Sequence, residues 1–369
     1  MNDKGYFGIR NALYGRRAGV YHELYRGLST IDPATGQYQI ANTPEARNAF
    51  LREREYANTD WFDLLFTLNP TTNHSLTFAG GGKNVATYAS VGFYHDSGWT
   101  IADKVSRLTA NIKSTFYINE KMRATLSAQG NIRSQKAPGT MPQRKNHTLG
   151  VFERDFDINP FSYALNTSRT LDPNEFYTRD YAPFNIKHEL DNNYIDLGVK
   201  DIKLQLELKW KPIKGLTLAL LGAYKDSGTT MESIVTEYAN RALAFRAMQD
   251  ATVRNGNQYL WKDQDKPNSL PETILPAGGF YNTQTRTMES YDFRASATYN
   301  TTLNNDHIIN TYLGTEVNSQ DRIFRWNDGW GMQYDSDLTP FWDYRAFKRL
   351  TEKNWDYYGL SKSFGRDRK

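Results

Sequence analysis

The residue types that carry metal or proton chemistry are present, but their spacing matches no known catalytic arrangement. The histidines are scattered, and no pair has the H-E-x-x-H spacing of a zinc site. The chain has no cysteine, which excludes thiolate ligands and disulfides. We therefore predict no catalytic residues, no metal site and no cofactor. We expect polar strand-end or loop positions for the six histidines, which are His22, His74, His95, His147, His188 and His307.

A run of three glycines before Lys83 is similar to part of a phosphate-binding loop. The Walker A pattern requires an earlier glycine where Thr77 stands, and a serine or threonine where Asn84 stands. Glycine and asparagine also favour tight turns between strands. We therefore interpret Gly81–Asn84 as a turn.

Two pairs of closely spaced aspartates could in principle bind a cation. Asp155 with Asp157 and Asp335 with Asp337 lack the ordered oxygen-ligand spacing of a calcium loop. We interpret them as solvated loop charges, because acidic side chains are mostly exposed. A glycosidase pair could lie among the 41 acidic residues, since sequence spacing does not reveal such a pair.

Aromatic residues crowd the segment after a strand near Ile308. We expect this segment to be a loop, in which sugars could stack on aromatic faces or a partner protein could pack. The alternative is that the rings pack against one another in a folded loop. The candidate substrate-binding residues are Trp326, Trp330, Tyr334 and Trp342, and their aromatic neighbours are Phe324, Phe341 and Tyr344.

Composition and charge narrow the class of protein. Across 369 residues the formal net charge is +4, and no long Lys/Arg block occurs, which argues against a nucleic-acid partner. Aromatic residues reach 14% while hydrophobic residues are 39%, a balance that suits a sheet facing lipid on one side and water on the other. The longest apolar run, Leu216–Tyr224, is too short for a membrane-spanning helix. The residues after Met1 do not resemble a secretory signal.

The strongest signal is strict alternation of apolar and polar residues, which in a strand places them on opposite faces. Ile202, Leu204, Leu206, Leu208 and Trp210 alternate with charged or amide residues. The segments Ser106–Ile118 and Met122–Arg133 repeat the pattern. We expect lipid to contact the apolar face. Lumen-facing positions that could contact a plug or a substrate are Arg107, Lys113, Arg123, Gln205 and Glu207.

The connections between the predicted strands alternate in length, as in outer-membrane barrels. Short turns alternate with longer connections, of which three are long, Gln135–Asn193, Asp226–Met288 and Gln320 to about Tyr357. The sequence therefore predicts an all-β fold, a partial antiparallel transmembrane β-barrel of about eight to ten long meandering strands with long extracellular loops. Weaker strand patterns cover Asn73–Gly80, Val85–His95, Leu216–Lys225, Glu289–Thr301 and Ile308–Ser319. A ninth strand pattern lies near Gly5–Gly15.

Two helices and a set of interfacial aromatics complete the prediction. Thr43–Tyr56 opens with a cap residue and a proline at the first helical position, and Glu237–Gln249 is alanine-rich. Aromatic residues near strand ends favour the girdles found at membrane interfaces. These are Tyr94, Trp99, Tyr117, Trp210 and Tyr291.

Several short motifs follow one another in the first part of the chain. Asn58–Asp63 reads NTDWFD, Gly80–Lys83 forms a glycine turn, and Tyr88–Phe93 reads YASVGF. This order of an N-T-D-W motif, a strand, a Gly-Gly turn and a Tyr-Ala-Ser strand resembles a recurrent passage of the SusC/RagA-like TonB-dependent transporters. The resemblance runs from about Asn58 to Lys369 and is most specific up to Asn111. Further similar segments are Arg107–Asn111, Asn159–Phe161 and Tyr181–Asn185.

The resemblance implies an outer-membrane barrel of about 22 strands, plugged by an N-terminal domain. It implies import of glycans or peptides, a SusD-like surface lipoprotein as lid, and energy from a TonB-family protein. No plug domain, TonB box or signal sequence is visible, so residues 1–369 are expected to be an internal part of one barrel domain embedded in outer-membrane lipid. We expect transport without enzymatic activity.

Two other classes fit parts of the pattern. A soluble all-β carbohydrate-binding module would pair the apolar faces into a sandwich core. An extracellular β-propeller enzyme would show a blade repeat of about 40 to 50 residues, and none is seen. Burial of the Leu and Ile rows would favour the sandwich.

Overall fold

One large antiparallel sheet, called the wall, dominates the computed structural model. The structure describes residues 20–139, 144–146, 151–153, 156–263, 265–266, 268–303, 307–341 and 365–368. The long strands are β1 (Thr72–Gly81), β2 (Val85–Asp96), β3 (Lys104–Asn119), β4 (Met122–Pro138), β9 (Asn193–Trp210), β10 (Leu216–Val235), β11 (Gly279–Leu303) and β12 (His307–Gln333). The short strands β13 (Thr339–Pro340) and β14 (Gly365–Arg368) both pair with β12.

The wall is a meander, because each long strand pairs with the next long strand along the chain. All these pairs are antiparallel, and the register is continuous over most of each pair. In the described part of the chain the sheet stays open, with β1 at one edge and the short strands β13 and β14, paired with β12, at the other. The predicted all-β fold of long meandering antiparallel strands is confirmed.

Short and long connections alternate along the meander, as predicted. The tight turns after β1, β3 and β9 therefore lie at one end of the sheet, the turn end. At Gly215 the backbone has φ +85°, and an added Cβ would lie 2.3 Å from the Asn300 carbonyl oxygen, so this turn requires glycine.

The opposite end of the sheet carries helices and small hairpins, together called the cap. The helices are α1 (Val20–Ser29), α2 (Pro44–Ala57), α3 (Trp61–Leu65), α4 (Pro160–Asn166), α5 (Ile186–Asn192), α6 (Asn240–Leu243) and α7 (Ala251–Gly256). Two hairpins join β5 (Arg144–Asn146) to β6 (Val151–Glu153) and β7 (Tyr177–Arg179) to β8 (Ala182–Phe184). No helix in these described residues is long and apolar enough to cross a bilayer.

The predicted helix at Thr43–Tyr56 is confirmed as α2. Thr43 is its N-cap, with the hydroxyl accepting from the Ala46 amide, and Asn58 ends it in a left-handed conformation. The predicted helix at Glu237–Gln249 is wrong in extent, because only α6 forms. Arg246 donates to the carbonyl oxygens of Glu237, Leu275 and Gly278, which holds this segment in an irregular path.

The predicted starts of the long loops are also wrong, because the strands continue past them. β4 reaches Pro138, β10 reaches Val235, and β12 reaches Gln333 rather than ending near Ser319. β12 has 27 residues and β11 has 25, so both extend far beyond the predicted strands Ile308–Ser319 and Glu289–Thr301. The predicted strand at Gly5–Gly15 lies outside the described residues.

Candidate functional site

The register sorts the wall residues into two faces, because residues directly opposite each other in an antiparallel pair point to the same side. Gln205 of β9 is paired with Ser127 of β4, which is paired with Lys113 of β3. Leu206, the next residue of β9, is paired with Leu126. We call the side of Gln205 the polar face and the side of Leu206 the apolar face. All five predicted lumen-facing residues share the polar face, namely Arg107, Lys113, Arg123, Gln205 and Glu207.

The apolar face of the wall is exposed. Ile202, Leu204 and Leu206 retain 51%, 45% and 46% of their accessible surface, and Trp210 retains 48%. The charged and amide residues between them, from Lys203 to Lys209, are less exposed. A sheet that folds around a water-excluding core shows the opposite arrangement. The apolar rows are therefore free to contact a nonpolar surrounding.

The exposed residues form an oblique band across the strands, the apolar band. Its upper limit is Phe93 on β2 and Tyr291 on β11. The pairing row that starts at Phe93 meets β11 at Thr287, four residues above Tyr291. With about 3.4 Å per residue and about 4.8 Å between strands, this slope equals a strand tilt of roughly 30°. Strands of membrane barrels are tilted by a similar angle, about 35 to 45°.

Aromatic residues mark both limits of the apolar band. Tyr224 and Tyr291 lie side by side at the upper limit, with ring centroids 5.0 Å apart, and Trp210 lies on the same face beside the turn end. Tyr94 and Tyr117, predicted as girdle residues, belong to the polar face instead. The prediction used their nearness to strand ends, and strand-end position does not specify a face.

Above the apolar band the hydrophobic residues change sides. Val235, Phe280 and Trp330 occupy one pairing row of the polar face, and all three are buried against the cap. Phe245 of the cap contacts Phe280 and Trp330, with ring centroids 5.4 Å and 5.5 Å away. The upper strands thus use their inner side to hold the cap, while their outer side becomes polar.

Near the turn end the polar face contains a cleft of about 570 Å³. Glu207, Lys209 and Arg294 line the cleft. Lys209 Nζ lies 2.8 Å from Glu207, and Arg294 Nη2 lies 2.9 Å from Glu316. Glu207 and Lys209 are alternate residues of β9, whereas Arg294 of β11 is directly paired with Glu316 of β12. This cleft is therefore suited to polar or charged groups.

The four candidate aromatic residues divide among different environments. Trp326 and Trp330 lie in β12 and not in a loop, which corrects the prediction. Trp330 is 5% exposed and packs in the core between wall and cap, whereas Trp326 is half-buried on the polar face. Tyr334 follows β12, and its hydroxyl donates to the Phe280 carbonyl at 2.6 Å. Trp342 lies outside the described residues, and substrate binding by these residues stays a prediction.

The NTDWFD segment anchors the cap to the start of the wall. The Thr59 hydroxyl donates to the Leu171 carbonyl at 2.7 Å, and Trp61 Nε1 donates to the Ser168 carbonyl at 2.9 Å. Asp60 caps α3 by accepting from the Phe62 and Asp63 amides. Trp61 also packs edge-on against Tyr163 at 5.1 Å. The motif therefore has a structural role in fixing the loop between β4 and β9.

A buried polar network joins the two large parts of the cap. The Asn240 side-chain amide donates to the carbonyl oxygens of Arg179, Ala182 and Pro183 at 2.7 to 3.1 Å. The Asn240 backbone amide donates to Glu189 Oε1 at 2.8 Å. The network ties the loop between β4 and β9 to the loop between β10 and β11. No local sequence pattern indicates this network, because its residues are far apart along the chain.

Burial shifts the acidity of two side chains in the cap. Glu189 is 1% exposed, and this desolvation raises its pKa, although His188 and the Asn240 amide oppose the shift. Burial also raises the pKa of Tyr163 to about 12, against a hydrogen bond with Tyr177. Both side chains are held in their neutral forms more strongly than in water.

The histidines do not assemble into a site among the described residues. His95 Nδ1 lies 2.9 Å from the Ser106 hydroxyl, and His188 packs edge-on against Phe176 at 5.1 Å. Within residues that the structure describes, no three His, Cys, Asp or Glu side chains come close enough to hold a metal ion.

The chain is similar in fold to solved structures, although its sequence matches no known family. No family profile matches the chain, and no curated protein sequence matches it. Solved structures do match. The RagAB peptide transporter aligns with a TM-score of 0.54 at 16% identity, over 85% of this chain and 30% of that one.

Two further structures, of the RagAB peptide importer in its closed-closed and open-open states, align with TM-scores of 0.53 and 0.51 at 16% identity. They cover 85% and 84% of this chain and 30% and 29% of the importer chains. The chain thus spans less than a third of the length of these structures. At this identity the likeness shows a shared transporter-like fold.

Proposed function

We propose that the chain forms part of the barrel wall of a SusC/RagA-type, TonB-dependent outer-membrane importer. The observation that carries the proposal is the apolar band, a continuous exposed surface on one face of a sheet whose other face is polar and charged. Contact with lipid hydrocarbon makes the exposure of such a face energetically favourable. Soluble proteins rarely expose apolar patches that are so large and continuous.

The slope and the borders of the apolar band support a membrane position. A band that crosses the pairing rows at roughly 30° becomes level when the strands tilt as they do in barrels. The aromatic pair Tyr224 and Tyr291 then lies at one interface and Trp210 at the other. The tight turns would face the periplasm and the cap would face the cell exterior.

The finer parts of the proposal concern the whole protein. We propose a glycan or peptide as substrate, a SusD-like surface lipoprotein as partner, and a TonB-family energy transducer acting through a plug region. The RagAB peptide transporter and importer share the fold of this chain, which favours transport over other functions. We propose no enzymatic step.

The exposure of Leu204 and Leu206 disfavours a soluble carbohydrate-binding module. A sandwich would bury those side chains between two sheets. In the described structure the second layer, the cap, covers the top of the polar face instead.

Fractionation of the producing cells tests the proposal. The native chain, detected through an epitope inserted after Ser269, should remain with outer membranes through a carbonate wash and be released by detergent. Protease added to intact cells should cut at the inserted epitope in the cap. Recovery of folded chain in the soluble fraction without detergent would refute the membrane position.

A further inference from the structure

An aromatic pair with an adjacent arginine lies on the polar face of the wall. Phe324 and Trp326 are alternate residues of β12, and their ring centroids are 5.0 Å apart at an interplanar angle of 31°. Arg286 of β11 is paired with Phe324, and its guanidinium carbon lies 5.1 Å from the centre of the Phe324 ring. Both rings are half-buried, while Arg286 is exposed. We call these three residues the lumenal platform.

The platform lies directly beneath the cap. Trp330, four residues farther along β12, is the position at which the cap packs on this face. Four residues of strand span about 14 Å, so the platform faces the space below the cap without being covered by the Trp330 cluster. In the proposed transporter a substrate passing the cap would meet this surface.

The surroundings of the platform are predominantly cationic. Arg322 follows on the same face and donates to Gln320 at 2.8 Å. Lys225 of β10 and Lys203 of β9 are paired with each other, in the row of this face that lies next to the Arg322 row toward the turn end. Asp201 lies 3.4 Å from Lys225. Asp328, on the side of the cap, lies in the field of Arg241. Asp367 of β14 is paired with Arg322. The positive residues Arg286, Arg322, Lys203, Lys225 and Arg241 still outnumber the negative residues Asp201, Asp328 and Asp367, so the surroundings of Phe324 and Trp326 favour an anion.

We propose that the lumenal platform binds a sugar ring that bears a carboxylate, as in a uronic acid residue of an acidic glycan. The inference rests on the proposed transport function. The nonpolar C–H face of the ring would stack on Trp326, while Phe324, which contacts both Trp326 and the Arg286 guanidinium, would hold these two groups in place. The carboxylate of the sugar would accept two hydrogen bonds from Arg286.

The compactness of the platform favours an acidic sugar over a peptide. The rings and the guanidinium lie within about one monosaccharide length, so a single rigid ring supplies both the flat face and the charge. A peptide would supply them from flexible groups, which lose rotational freedom on binding.

The experiment measures binding by calorimetry on the native chain extracted from membranes of the producing cells in mild detergent. The probes are a galacturonate trimer, the uncharged galactose trimer, and a peptide of alternating Phe and Glu. We expect the galacturonate trimer to bind roughly tenfold or more tightly than either of the others, because only it pairs the stacking face with a charge-assisted bond.

Variants at the platform sharpen the test. Trp326→Ala should weaken galacturonate binding roughly tenfold, from lost stacking. Arg286→Gln should reduce the affinity for galacturonate to that for galactose, while Arg286→Lys should retain part of the difference. Arg325→Gln is the matched control, because it removes an arginine from the opposite face of β12 next to Trp326.

The outcomes separate this inference from the proposed function. Equal affinity for both sugars, preference for the peptide, no binding of any probe, or an equal effect of Arg325→Gln and Arg286→Gln would overturn the inference. Membrane localisation is measured separately. A membrane-bound chain without the acidic preference contradicts the platform alone, whereas a soluble chain contradicts the transport function.

Discussion

The wall and the cap use the same kinds of hydrophobic residue in opposite ways. In the wall, Phe293 and Leu206 retain 51% and 46% of their surface. In the cap, Phe245 and Phe184 each retain 1%. The cap is held by packing and buried hydrogen bonds, as in a water-soluble domain, while the wall is held by its backbone ladder and leaves its apolar side chains outside.

This difference shows how one chain can suit two solvents. Hydrocarbon provides little drive to bury an apolar side chain, because lipid is as apolar as the protein interior. Water provides a strong drive, worth about 1.5 to 3 kcal/mol per large side chain. In the proposed membrane position, the hydrophobic residues change face along a strand at the height where the surrounding changes from lipid to water.

The largest expected effect tests this contrast with two equal truncations. Phe245→Ala should destabilise the cap by about 3 to 5 kcal/mol, because it leaves a cavity between wall and cap. Phe293→Ala removes the same ring from the apolar band and should cost less than about 1 kcal/mol in a membrane. Denaturant unfolding in detergent or vesicles, followed by proteolysis of the cap, measures both. Comparable losses would contradict the two-solvent description.

The second test places a charge on each face of β9. Leu206→Arg should cost about 2 to 4 kcal/mol in the assembled barrel, because the guanidinium would enter the bilayer. Gln205→Arg, one residue away on the polar face, should cost little. The yield of folded protein in the outer membrane and its unfolding in vesicles report the difference, and equal tolerance at both positions would refute the assignment of the faces.

The third test weakens the cap without making a large cavity. Asn240→Ala should destabilise the cap by about 1 to 3 kcal/mol, because three buried carbonyl oxygens lose their donor. Asn166→Ala is the control, since Asn166 is exposed and its amide makes a local bond to Ser162. Limited proteolysis should cut the cap faster in Asn240→Ala than in Asn166→Ala. An unchanged cutting rate for Asn240→Ala would show that the network does not stabilise the cap.

The smallest expected effect is a pH dependence confined to the cap. The raised pKa of Glu189 means that the folded cap binds this proton more tightly than the unfolded chain. Its contribution to stability is therefore complete below the ordinary glutamate pKa, near 4.3, and is lost as the pH rises through the folded value.

Glu189→Gln should flatten this dependence and stabilise the cap at neutral pH by about 1 kcal/mol, because it removes a buried charge and keeps an acceptor for the Asn240 amide. Cap proteolysis at pH 4 and pH 7.5 measures the slope. A steeper loss in the glutamine variant than in the native chain would show that another group controls it.

Much of the wall could be predicted from the sequence because period-two alternation is a local property of the strand. The rows through Leu206 and Gln205, the tight turns and the helix α2 all depend on residues within a few positions of each other. The upper halves of β10, β11 and β12 were missed, because the alternation loses its phase where hydrophobic residues pass from one face to the other.

The candidate site was predicted less well. The sequence predicts Trp326 and Trp330 together in a loop, yet both lie in strand β12, where Trp326 is half-buried on the polar face and Trp330 is buried under the cap. Their difference depends on Phe245 and Phe280, which are distant in sequence. No local pattern distinguishes two tryptophans on the same face of one strand.

The sequence by itself determined which side chains share a face, where the chain turns, and that one face is apolar from strand to strand. The tertiary structure decided where the apolar band stops, which rings the cap covers, and that Asn240 and Glu189 join two distant loops. The physical reason is the distance along the chain between the residues that decide each property. Strand alternation follows from neighbouring backbone geometry, whereas burial and desolvation depend on segments that meet only after the chain has folded.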